Sequence, residues 1–140
     1  PADLDIKTAT SICEYTNKLS LPILKAFNVS DIDSYNCWQS CPSVAGFVFD
    51  AAKPGSGKTF DWTLLKSLPR SKKLFMLVGG LAPENVSNAI FFLHPDGVDV
   101  SSGVEFIEKD RPGKDPYRIQ AFAEAVQLAD KQLTSKYLSI

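Results

Sequence analysis

Hydrophobic residues recur along this chain in two rhythms, and the rhythms alternate. Between Thr10 and Leu19, the residues Ile12, Cys13, Thr16 and Leu19 fall near helical spacing, which predicts a helix. PILKAF, Pro22 to Phe27, is a short apolar run that reads as a strand. Ser30-Asp31 offers a cap for a brief helix ending near Trp38. VAGFVFD, Val44 to Asp50, is almost wholly apolar, the pattern of a strand covered on both faces. A glycine-rich loop follows, and Asp61 is placed to cap a short helix through Leu68. KLFMLVGG, Lys73 to Gly80, predicts a third strand ending in two glycines. APENVSNAIFFL then opens with Pro83 in a first helical turn and carries Val86, Ala89, Ile90 and Leu93 on one face. GVDVSSG, Gly97 to Gly103, reads as a fourth strand with a small-residue end. Pro116 begins a last helix whose apolar face includes Ile119, Phe122, Ala123, Val126 and Ala129, with a polar tail after Asp130 expected to fray.

Four strands therefore alternate with helices at spacings of roughly 22 to 29 residues. Repeated β/α units of this kind predict an α/β fold with a parallel sheet, and right-handed crossovers put the helices outside it. A closed barrel of such units takes eight strands. Four make either a small open sheet or half a barrel. No linker interrupts residues 1–140, so they are read as a single domain, partial if the half-barrel reading holds.

Composition narrows the function classes. The 140 residues are 44% hydrophobic and 22% charged, with a net charge of -1 and the basic residues spread along the chain. This is the profile of a soluble globular domain, with no signal for a nucleic-acid or membrane partner. Three cysteines form no disulfide-framework spacing, which points to a reducing compartment and a cytoplasmic location, and Cys37 and Cys41, four apart around Trp38, read as buried inert thiols rather than a redox pair. The chain opens on Pro1 rather than Met, as a processed or partial chain would.

In parallel α/β folds, chemistry gathers at the C-terminal ends of the strands. Here those ends are Ala26-Phe27, Asp50, Gly79-Gly80 and the run Asp99-Val100-Ser101-Ser102-Gly103. Small residues let a phosphate approach main-chain N–H groups, helped by a following helix N-terminus. Gly79-Gly80 alone is equally a tight turn; its pairing with Ser101-Ser102-Gly103 is what points to phosphate. Asp50 ends an apolar strand, where desolvation favours the protonated carboxyl that a general acid needs. It is equally placed to pair with Lys53 or Lys58. AKPGSGKT, Ala52 to Thr59, fits a relaxed nucleotide P-loop through Gly55, Gly57 and Lys58. A P-loop helix starts at the lysine, however, and here Phe60-Asp61-Trp62 intervene. His94 reads as a helix-end residue, Arg111 and Lys114 as solvated charge, and one histidine with no close cysteine pair makes no metal site.

Taken together, FVFDAAKPGSGKTFDW, LVGGLAPENV, GVDVSSGVE and PGKDPYRIQAFAEAV, in this order, resemble the C-terminal half of phosphoribosylanthranilate isomerase, over about Leu21 to Val126. The resemblance implies strands five to eight of a TIM (β/α)8 barrel. It implies a tryptophan-pathway enzyme that opens the ribose ring of N-(5-phosphoribosyl)anthranilate and moves hydrogen to give a 1-deoxyribulose phosphate, without cofactor or metal. Asp50 would be the general acid. Gly55, Gly57 and Lys58 would belong to a mobile loop over the substrate. Gly79, Gly80, Ser101, Ser102 and Gly103 would grip the phosphate, with Asp99 in the pocket. The family's general base, a cysteine on strand one, has no counterpart context here, and an N-terminal arginine and a strand-four Q-L-H-G stretch are also absent. The implied partner is therefore a missing N-terminal half or a second copy, since an open half-barrel exposes edge strands and interior apolar surface. A non-catalytic module that binds a sugar phosphate is the alternative.

Overall fold

The computed structural model describes residues 6–28, 34–50, 62–108 and 110–137. Helix α1 (Ile6–Lys18) leads to strand β1 (Ile23–Asn28), then α2 (Tyr35–Gln39), β2 (Val44–Asp50), α3 (Thr63–Lys66), β3 (Leu74–Val78), α4 (Val86–Leu93), β4 (Gly97–Val98), a 3-10 turn at Ser102–Val104 and α5 (Pro116–Tyr137). The four strands form one sheet in the order β1-β2-β3-β4, every pair parallel. Sequential order in a parallel sheet is what right-handed β/α crossovers produce when the units are laid side by side.

The register sets the two faces. Leu24, Gly46 and Leu74 stand side by side, as do Ala26, Val48, Met76 and Gly97. The alternate residues Phe27, Phe47, Phe49, Phe75 and Leu77 point the other way and are buried. They pack with Leu65, Val86, Ala89, Ile90, Leu93 and Phe122 from the helices. Phe27 stacks on Phe49 at 5.7 Å between centroids, and Phe49 meets Phe75 at 4.7 Å. Each such ring, taken out of water, contributes roughly 2–3 kcal/mol. Lys25 shares this face at only 6% exposure. Its stem lies in the core, while its ammonium donates to the Ala26 carbonyl and sits over the Phe27 and Trp38 rings at 4.5 and 5.4 Å.

The predicted elements differ from the observed ones where turn geometry intervenes. The fourth strand is two residues long, not seven, because the chain leaves the ladder after Asp99 and coils into the 3-10 turn. The helix after β2 is capped at Trp62 rather than Asp61, and Asp61 lies outside the described residues. The Ser30-Asp31 cap also lies outside them, and α2 begins at Tyr35. The four core positions expected on α4 are all buried. On α5, Phe122 and Ala129 are buried and Val126 is half-buried, but Ile119 and Ala123 face outward. The tail expected to fray after Asp130 continues as helix to Tyr137.

The cysteines need correction as well. Cys13 of α1 and Cys41, just after α2, form a disulfide, and Cys37 is free and exposed. Of the two cysteines expected as buried inert thiols, Cys41 is buried but bonded to Cys13, and Cys37 is a thiol but exposed. Among the described residues no helix is long and apolar enough to cross a membrane.

Candidate functional site

Four strand ends meet along one edge of the sheet. Asp50 closes β2, with Asn28 of β1 and Val78 of β3 as its neighbours in register. Leu77 pairs with Val98, and the Asp99 N–H donates to the Leu77 carbonyl at 3.0 Å, carrying the ladder one residue past β4. Alternation then puts Asn28, Asp50, Val78 and Asp99 in one row on the uncovered face. Two strand spacings separate the Asp50 and Asp99 main chains, about 10 Å. Asp50 is half-buried and Asp99 exposed.

Beyond this row come the two small-residue loops. Gly79 and Gly80 both take positive φ, 81° and 64°, a conformation glycine adopts without strain. A Cβ placed on Gly80 would meet no described atom within 4 Å, so its main chain is open to approach. A Cβ on Gly103 would lie 1.8 Å from the Leu81 carbonyl oxygen. The loop after β4 therefore touches the loop after β3 main chain to main chain, and only glycine permits that contact. Ser101 and Ser102, exposed, stand beside it.

Side chains that sequence reading did not single out hold these loops. Asn85 accepts the Ala82 N–H at 2.8 Å through Oδ1 and donates to the Gly80 carbonyl at 2.9 Å through Nδ2, fixing the turn that leads into α4. Arg118, on α5, donates to the Gly103 carbonyl from Nε (3.1 Å) and NH2 (2.9 Å). Its NH1 and NH2 groups also donate to the two Glu84 carboxylate oxygens, at 2.8 and 3.0 Å. One guanidinium thus joins α5 to both loops. The Arg118 hydrogen bond holds the Glu84 carboxyl below its ordinary range, and Glu84 raises Arg118 in turn. Lys114 is not merely solvated charge: its ammonium donates to the Ser101 carbonyl at 2.8 Å and pairs with Glu105 at 2.8 Å. Arg111 lies over the Phe106 ring at 3.6 Å. Asn85 stands directly before the apolar run of α4, where a capping Asn is at home, a signal the sequence did carry; nothing local in the sequence marks Arg118, whose partners lie 15 and 34 residues away.

The remaining expectations sort as follows. Gly55, Gly57 and Lys58 lie outside the described residues. Helix α3 starts at Thr63, five residues after Lys58, which is not how a P-loop presents a helix to phosphate. His94 caps the C-terminus of α4 in the left-handed region, its N–H bonded to the Ile90 carbonyl at 2.8 Å. Among the described residues no three His, Cys, Asp or Glu side chains gather as a metal site.

Comparison with known proteins agrees with this layout. The family model for N-(5'phosphoribosyl)anthranilate (PRA) isomerase matches residues 10–125. N-(5'-phosphoribosyl)anthranilate isomerase of Moorella thermoacetica is 43% identical over 122 residues, 84% of this chain and 53% of that protein. The crystal structure of phosphoribosylanthranilate isomerase from Thermotoga maritima superposes with a TM-score of 0.64 at 32% identity, covering 89% of this chain and 58% of that one. A solved complex of the isomerase with reduced 1-(o-carboxyphenylamino)-1-deoxyribulose 5-phosphate gives a TM-score of 0.58 at 28% identity, covering 89% of this chain and 56% of that one. This chain thus spans about half the length of the relatives it matches. On sequence and on fold, the chain belongs to the phosphoribosylanthranilate isomerase family.

Proposed function

We propose that this chain supplies strands five to eight of a phosphoribosylanthranilate isomerase barrel. The assembled barrel converts N-(5-phosphoribosyl)anthranilate to 1-(2-carboxyphenylamino)-1-deoxyribulose 5-phosphate. The observation that carries this reading is the shared edge: Asp50, Gly79-Gly80 and Ser101–Gly103 end successive parallel strands, with Gly103 against the Leu81 carbonyl. Such an edge suits a phosphate at the paired loops and an acid two strands away from the last of them.

In this mechanism the main-chain N–H groups of Gly79, Gly80, Ser102 and Gly103 hold the phosphate. Asp50 protonates the furanose ring oxygen as the C1′–O bond opens. Asp99 faces the same pocket and orients the sugar. Gly55, Gly57 and Lys58 belong to the loop that covers the substrate. Removal of the C2′ proton then requires a base. Cys13 and Cys41 are bonded to each other and Cys37 lies on α2, so no cysteine stands at the working edge. The base comes from the N-terminal half of the barrel.

The uncovered sheet face supports the need for that half. Leu24 and Leu74 are 54% and 48% exposed, beside the partly exposed Val48, Met76 and Val78. These side chains would fill the barrel interior once strands one to four close over them. The test is the isomerase assay on this chain alone, then with the N-terminal half added, following loss of substrate fluorescence. Turnover that appears only on addition and is abolished by Asp50→Asn is the expected result. Turnover by the chain alone would replace the missing half with a second copy. Substrate binding without turnover in the assembled barrel would leave a sugar-phosphate-binding module and overturn the catalytic reading.

A further inference from the structure

At the other end of the strands, on the helix side, lies a cleft of about 530 Å³ between the start of β3 and the C-terminus of α4. That volume is in the range that holds a small organic molecule. Its walls include the rings of Phe91 and Phe92, the former 39% exposed.

Three cations line it: Lys66, Arg70 and Lys73. Their observed partners are neutral for the most part. The Lys73 ammonium donates to the main-chain carbonyls of Cys41 and Val44. The Lys66 ammonium lies 4.1 Å above the Phe92 ring. Arg70 donates to the Leu93 and His94 carbonyls, which satisfies the end of α4, and its guanidinium stacks 3.7 Å over Phe75. The one carboxylate among the lining residues is Asp96, which attracts Arg70 and also accepts the Phe75 N–H at 2.7 Å. Three positive charges against one negative leave an excess of two in a cleft with aromatic walls. Burial pushes both Lys73 and Arg70 below their ordinary values, with Asp96 opposing the shift at Arg70.

We propose that this cleft is a second binding site, separate from the strand-end edge, for a small aromatic carboxylate. The ring lies against Phe91 and Phe92, and the carboxylate points to Arg70 and Lys73, with Lys66 at the mouth. Arg70 and Lys73 are already held by main-chain carbonyls, so little side-chain entropy is lost when the anion arrives. The aromatic walls favour a planar ring over a bare anion.

The test is titration of the isotope-labelled chain with benzoate, followed by amide chemical shifts. The N-terminal half is added if the chain alone is insoluble. Benzamide and inorganic phosphate are the comparison probes. Saturable shifts at Ser71, Lys73, Phe92 and His94 with benzoate are expected. Lys66→Glu, a change at an exposed position, should weaken that binding about tenfold. Arg70→Gln should weaken it more, with Lys66→Glu deciding if Arg70→Gln does not fold. Equal binding of benzamide would make the site merely apolar, and equal binding of phosphate merely anionic; either overturns the proposal. So would an absence of shifts with benzoate, or shifts unchanged by Lys66→Glu. Asp50→Asn leaves this binding intact, so failure here is separable from failure of the isomerase reading.

Discussion

The two faces of the sheet are built from the same four strands and have opposite fates. On the helix side Phe27, Phe47, Phe49, Phe75 and Leu77 are sealed by α2 through α5. On the other side Leu24, Val48, Leu74 and Met76 are apolar and at least partly open. Local sequence does not distinguish them, since both sets are what a strand covered on both sides requires. The difference is that, among the described residues, the helices cover one face only. The covered face stabilises this chain, and under the proposed function the open face is the one an assembled barrel would bury.

The comparison breaks most directly through the core rings. Phe49 is fully buried, and Phe49→Ala should cost about 3–5 kcal/mol in urea denaturation. Leu74→Ser on the open face should cost under about 1 kcal/mol in the chain alone. It should instead weaken capture of the N-terminal half. Equal costs at the two positions would mean the open face is already covered. Next comes the disulfide, whose cysteines are 28 residues apart. Cys13→Ser should lower stability by about 3–4 kcal/mol, and a reductant should produce the same loss in the unaltered chain.

At the strand-end edge the effects are smaller. Gly103→Ala drives a methyl into the Leu81 carbonyl and should cost about 1–3 kcal/mol. It should also weaken phosphate binding measured by calorimetry, because the two loops must part. The smallest effect is the Glu84–Arg118 clasp, with Glu84 64% exposed. Glu84 is held below its ordinary value, so the clasp contributes fully above the unfolded carboxylate pKa and is lost as pH falls through the folded one. Glu84→Gln should therefore lower the urea midpoint at neutral pH, and the gap should close in acid. A gap that persists there would assign the effect to packing.

Much of this was legible in the sequence for a physical reason. Strand β2 occupies the predicted Val44–Asp50 because an unbroken apolar run has few alternatives. The α4 core face was readable because its periodicity is local. Asp50, Asp99 and the small residues could be placed at one edge because parallel topology sends every strand end the same way. What escaped reading depends on contacts between distant segments. Lys25 sits in the core because Phe27 and Trp38 flank it, and Arg118 finds both loops only after α5 has docked. The Cys13–Cys41 pairing likewise needs α1 laid beside the start of β2, which spacing cannot announce.

That pairing has a topological consequence. Residues 13–41 form a covalent ring, and β1, the first strand at the sheet's edge, lies inside it. An edge strand held this way moves only together with the α1 and α2 segments that close the ring.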